Sequence, residues 1–296
     1  MEYSTVLQWL DKNKEWLFSG AGLVIFSMFS WLYGRIRNAR QGHDKKLKGN
    51  GLKETSAISA RLKKALSLIN ANHNREKLTI SKIAQMMGSP SVGNTERVFE
   101  GIEEPSLIFL QTFSERFGVQ PAWLLHGEHE PFYQPEPLEP FALDYLPYIK
   151  ISRPAEVYFV RSSSEHGECQ IVLKFDEWRY HALNSVWHVS SHVGGMGTSQ
   201  LVSLFELIKT LRDEEQELIC MGQVLSEKEF EKLRDGTVFP GSALSALDKN
   251  HDWWVAFPDL NHEFPSSPHY AAWYGQSFLD AQKIVRNEIK VNGRVA

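Results

Sequence analysis

His188, Ser190 and His192 stand at alternate positions just ahead of Gly194, Gly195, Met196 and Gly197, the densest group of chemistry-bearing residues in the chain. If the stretch is a strand, its two-residue period puts the three side chains on one face. Two imidazoles there have the chemistry to hold a metal or to move protons. The glycines run into Thr198, Ser199 and an apolar-periodic segment, so the passage reads as strand, glycine loop and helix N-terminus. Backbone N–H groups at such a junction can cradle a small anion, a nucleotide phosphate for example. His192, Gly194, Gly195, Gly197, Thr198 and Ser199 are therefore the expected ligand-binding set. An ordinary strand-to-helix turn accounts for the same glycines and is the preferred reading, because the phosphate-loop lysine and the dinucleotide spacing are both missing.

Other candidates fall short of catalysis. No HExxH helix accompanies the histidines. Ser190, Ser191 and His192 are sequence neighbours, which rarely have the geometry of a nucleophile and its base. Arg161, followed by Ser162 to Ser164, could take a phosphate or carboxylate in a fork, but a solvated hairpin end is the preferred reading. Cys169 and Cys220 are the only cysteines, too few for a cysteine-based metal site and expected to stay reduced. No catalytic residue, metal ligand or cofactor is assigned, and the sequence leans away from an enzyme.

The elements that carry these residues form an expected α+β domain over 141–296. AEVYFVRS and ECQIVLKF are β-rich runs joined by the hairpin SSEHG, and SVWHVSSH is the third expected strand. TSQLVSLFELIKTL has a helical apolar stripe, and SEKEFEKLRDG begins with the capping-box pair Ser226 and Glu229. WWVAF is expected as a further strand and FLDAQKIVRNEIKV as a last helix. The Pro- and Glu-rich connector 131–140 marks a domain boundary on its N-terminal side.

Residues 57–131 read as five short helices. Leu62, Ala65, Leu66 and Ile69 form the first stripe. Thr79 and Ser91 are placed to cap the second and third helices, Gly88 and Gly101 to stop them. SLIFLQTFSERFG and QPAWLLHGE supply the fourth and fifth. The order LT, KIAQMMG, EG, EEPS, LQTFSERFGV and WLLHGE resembles the phage-repressor (xenobiotic-response-element) class of helix-turn-helix domains. That resemblance implies DNA binding by the second and third helices, with Ser91, Asn94, Thr95 and Arg97 reaching base edges and Lys82 and Gln85 approaching phosphates. The chain departs from the pattern in two ways. The turn GSPSVGN is longer than usual, and Glu96 and Glu100 flank the single Arg97. Basic and acidic residues balance over 51–131, where a DNA-binding module is usually basic. DNA or a protein partner, self-association included, is the expected target of this domain.

Ahead of it, the uncharged stretch Trp16 to Tyr33 would give roughly 27 Å of helix, about the thickness of the bilayer hydrocarbon. Trp16, Trp31 and Tyr33 suit the interfaces, and Arg35, Arg37 and Arg40 follow at once. The expected fold class is thus a single N-terminal transmembrane helix within 1–34, a basic linker over 35–56, the all-α helix-turn-helix domain and the α+β domain. By the charge rule the N-terminus lies outside and the rest is cytoplasmic, a single-pass protein of the inner membrane of a bacterium. The expected function is a membrane-anchored regulator with a C-terminal sensor domain. The alternative is a membrane-associated effector that binds a small anionic ligand at GGMG without binding DNA. A net charge of −4 gives the whole chain no general affinity for nucleic acid.

Overall fold

The computed structural model describes residues 54–71, 76–135, 138–215, 217–245 and 252–291. The body considered below is the compact unit 58–296.

Five helices come first: α1 (54–69), α2 (Ile80–Met86), α3 (Val92–Glu100), α4 (Leu107–Phe117) and α5 (Pro121–His126). Side chains specify their starts. The hydroxyls of Thr79, Ser91 and Ser106 accept from the backbone N–H groups of Lys82, Asn94 and Phe109, while Pro121 opens α5 behind a Gln120 cap. Gly101, Gly118 and Gly127 end three of them in the left-handed conformation that only glycine adopts cheaply. The faces so aligned bury Leu62, Ile69, Ile83, Phe99, Phe113 and Phe117 in one cluster.

After α6 (Leu146–Ser152) come β1 (Glu156–Ser162), β2 (Glu168–Asp176) and β3 (Arg179–His188), then the long helix α7 (Gly195–Asp213) and β4 (Ile219–Leu225). The sheet order is β3-β2-β1-β4. β1 pairs antiparallel with β2 and β2 with β3, whereas β4 lies parallel to β1, as the crossover through α7 requires. Strand alternation gives the sheet two apolar faces. Val157, Phe159, Ile171, Leu173, Leu183 and Trp187 face α7, α10 (Trp253–Ala256), α11 (Tyr270–Tyr274) and α12 (Gln276–Val291). Val160, Val172, Tyr180 and Ala182 join the cluster of the five helices, together with Phe230 and Leu233 of α8 (Glu227–Arg234) and Phe239 just before α9 (Pro240–Leu244).

The five helices therefore form a layer on the sheet and share its core. Backbone contacts confirm how closely they approach. A Cβ on Gly118 would lie 2.5 Å from the carbonyl oxygen of Tyr180 on β3, and one on Gly236 would lie 2.2 Å from the Tyr133 nitrogen. Phe132 N–H donates to the Gly236 carbonyl at 2.9 Å, so the start of the 131–140 connector is held inside this body. Arg116 of α4 pairs with Asp176 of β2 at 2.6 Å.

Several expectations are corrected. The fold class is a mixed helical and sheet body built on a four-stranded mixed sheet, in place of a membrane helix followed by an all-α and an α+β domain. Among the described residues no helix is long and apolar enough to cross a membrane. The longest described helix, α7, carries Glu206, Lys209, Arg212 and Asp213 along its length. The single-pass, inner-membrane placement is accordingly set aside, and the stretch Trp16–Tyr33 and residues 35–53 of the linker 35–56, on which it rested, lie outside the described residues. WWVAF is helical, with Trp253 fully buried and its indole N–H donating to the Phe159 carbonyl at 3.1 Å. β4 had no expectation at all. β3 begins at Arg179 and ends at His188, so Ser190 and His192 lie beyond the strand.

Candidate functional site

The surface of α2, α3 and α4 holds the residues expected to read DNA. Ser91 is used as the α3 cap, accepting from Asn94 N–H at 3.2 Å. Thr95 is buried, and its hydroxyl donates to Ser89 Oγ at 3.0 Å. Asn94 and Gln85 are exposed. Both cations are paired with carboxylates: Lys82 with Glu76 at 2.8 Å and Arg97 with Glu103 at 3.3 Å. Exposed pairs of this kind are worth about 0–1 kcal/mol, so they do not lock the side chains by themselves. The composition around them matters more. Glu96, Glu100, Glu103 and Glu104 are all exposed, and so are Ile102 (60 %), Leu107 (72 %), Ile108 (77 %) and, in α3, Val92 (39 %).

The glycine loop is a different place. Gly194 caps α7 without a side-chain hydrogen bond. A Cβ on Gly194 or Gly195 would meet nothing within 4 Å, and one on Gly197 would meet only Val193. No close approach therefore demands glycine at the first two positions. Thr198 N–H is satisfied within the helix by the Gly194 carbonyl, and Ser199 Oγ donates to the Gly195 carbonyl. His192 and His188 do come together, each against His166 from the β1–β2 hairpin, at ring separations of 5.2 and 6.0 Å. Glu168 is close to this group. Burial alone would raise its pKa, but a hydrogen bond from Ser164 and the charges of His188 and His166 more than offset this and hold it low. Among the described residues no group of three or more His, Cys, Asp or Glu side chains is arranged to hold a metal ion.

Arg161 is not at a solvated hairpin end; it is 4 % exposed. Its guanidinium donates to the carbonyls of Tyr274 and Val189 at 3.4 and 3.5 Å and lies over the Phe278 ring. Burial pushes its pKa down to about 10. The side chain ties the end of β1 to the start of α12.

A cavity of about 540 Å³ lies between α4–α5 and the β2–β3 hairpin. Leu110, Val119 and Leu125 line it from the helices, Phe175 and Tyr180 from the strands, and Tyr148 from α6. Polar atoms converge on it. Tyr148 Oη and His181 Nδ1 are 2.8 Å apart, and Arg179 stacks over Phe175 at 4.6 Å. Ser114, 4 % exposed, has a hydroxyl with no hydrogen-bond partner. Apolar walls with a few convergent polar groups and a volume in the ~300–1,000 Å³ range are the usual make-up of a small-molecule site.

These features define a mixed helical and sheet protein with an acidic, apolar helical surface and a cavity where its helical layer meets the sheet. No family model matches the chain, and no curated protein or solved structure matches it either. The sequence reading missed the cavity because its walls come from four separated segments. It also missed Leu107 and Ile108, for which a signal exists: both lie in the first turn of α4, ahead of the Leu110, Phe113 and Phe117 stripe that the core uses.

Proposed function

We propose that the five-helix layer, whose helix order resembles a phage-repressor module, is a docking surface for a protein partner that carries basic residues around an apolar face. One observation supports this above all: Ile102, Leu107 and Ile108 are exposed amid Glu96, Glu100, Glu103 and Glu104, where a DNA reader would face phosphates. DNA affinity comes largely from cations that replace counterions on phosphate. Here the available cations are outnumbered by neighbouring carboxylates. Clustered exposed aliphatic side chains mark interaction surfaces, and an amphipathic basic helix complements both their apolarity and their charge. A second copy of this chain fits less well, since it would bring glutamates against glutamates.

The reading is tested by parallel titrations of the full chain, at low salt, with a fluorescent cationic amphipathic helix and with duplex DNA of mixed sequence. The expected outcome is saturable peptide binding that Leu107→Glu/Ile108→Glu weakens on the order of a hundredfold, since each aliphatic side chain buried is worth roughly 1.5–3 kcal/mol. Duplex binding that falls steeply with salt and is lost in Arg97→Glu would overturn it.

A further inference from the structure

The cavity between α4–α5 and the β2–β3 hairpin borders that docking surface, with Leu107 at its edge, and its chemistry narrows the ligand. Its interior is aliphatic and aromatic, formed by Leu110, Val119, Leu125 and Phe175. An occupant must therefore bring an apolar body. At the sheet side, the exposed Arg179 lays its guanidinium over Phe175, 4.6 Å from the ring centroid. Its charge also reaches the Tyr148 phenol, whose pKa burial raises and Arg179 partly lowers again. At the helix side, Ser114 lines the same space, and its buried hydroxyl has no hydrogen-bond partner. A buried hydroxyl left unpaired is unfavourable, and a polar group brought within its reach would offset that cost.

We propose that this cavity is a binding site for an amphipathic monocarboxylate, with its carboxylate on Arg179 and Tyr148 and its apolar body against Leu110, Val119 and Leu125. A guanidinium fork matches a carboxylate in geometry and charge. A phosphate dianion fits less well, because Arg179 is the one Lys or Arg among the lining residues and Glu115 lines the same cavity. The assignment rests on Arg179 and Tyr148, which are not part of the docking surface, so either proposal can fail alone.

The experiment uses the full chain and two probes of equal length, decanoate and 1-decanol, followed by calorimetry below the concentration at which decanoate forms micelles. Decanoate is expected to bind with one-to-one stoichiometry, and Arg179→Gln to weaken it on the order of tenfold or more, as loss of a charged hydrogen bond does. Decanol is expected to bind the wild type and Arg179→Gln alike. Ser114→Leu, which fills the cavity from α4, is expected to abolish both, with an unchanged far-ultraviolet spectrum showing that the fold persists. Decanoate binding that is indifferent to Arg179→Gln would overturn the carboxylate assignment. Binding of both probes that is indifferent to Ser114→Leu, or no one-to-one binding of either, would overturn the site itself.

Discussion

Replacing Gly118 by alanine tests whether the helical layer and the sheet really share a core. Gly118 ends α4 with φ +64°, and a Cβ there would lie 2.5 Å from the Tyr180 carbonyl oxygen, a backbone atom that cannot swing aside. Two costs add. The left-handed conformation disfavours alanine by roughly 1–2 kcal/mol, and forcing apart packed backbone costs about 1–3 kcal/mol more. Gly88 isolates the first cost, because it has the same φ of +64° with nothing within 4 Å of a Cβ. Any gain from stiffening the unfolded chain is common to both variants and cancels in their difference. Gly118→Ala should therefore be less stable than Gly88→Ala by about 1–3 kcal/mol. For a body of this size that is a melting temperature lower by roughly 2–12 °C. Urea titration of both variants reads the difference as a change in midpoint at constant slope. Equal midpoints would refute the reasoning, since an α4 that stands clear of β3 would leave Gly118 with the conformational cost alone.

Other perturbations probe separate parts of the body. Gln282 is fully buried and donates to the carbonyls of Ala256, Phe257 and Asp259 at 2.9–3.2 Å. Gln282→Leu should cost about 1–3 kcal/mol in chemical denaturation, because the Phe257 carbonyl loses its donor while those of Ala256 and Asp259 keep backbone N–H partners. Arg61 Nη1 donates to the Leu124 and Leu125 carbonyls at 2.6 and 2.9 Å, closing the end of α5. Arg61→Met should destabilise by about 1–3 kcal/mol, and a neutral result would show that the contact contributes nothing. Glu156 supplies a pH test. Burial alone would raise its pKa, but hydrogen bonds from Lys174 and Tyr158 prevail and leave it below the ordinary carboxylate value. Its contribution is thus complete above the unfolded pKa of about 4.3 and is lost as the pH falls through the depressed folded value. Glu156→Gln should lower stability at pH 7 and flatten the acid limb below about pH 4; an unchanged limb would contradict the assignment.

What the sequence made legible was local. Thr79, Ser91, Ser106 and Ser226 announce helix starts because a cap is a contact between residues two or three apart, and the structure has all four. WWVAF reads as a strand because aromatic and β-branched residues favour one, yet burial of Trp253 against Phe159 outweighs that preference. β4 was invisible because ICMGQVL mixes Gly222 and Gln223 into its apolar run and has no hairpin turn to mark it; its partner β1 is far away in sequence. The alternation of His188, Ser190 and His192 suggested one strand face, but β3 stops at His188, and Val189 N–H turns instead to the Gly167 carbonyl at 3.0 Å. His166, at the tip of the hairpin, is what gathers the two histidines, a contact across the sheet that no local pattern encodes. The cavity is the extreme instance. Ser114, Tyr148, Phe175 and Arg179 each read as an ordinary helix, turn or strand residue until the layer and the sheet are superposed.

The most direct test of the docking surface is hydroxyl-radical footprinting of the full chain with and without the cationic amphipathic helix, which reads side-chain access residue by residue. The docking proposal predicts that oxidation of Leu107 and Ile108, the most exposed aliphatic side chains of the helical layer, falls several-fold in the complex, with Ile102 following. Unchanged oxidation at all three, while the peptide is demonstrably bound elsewhere, would contradict it.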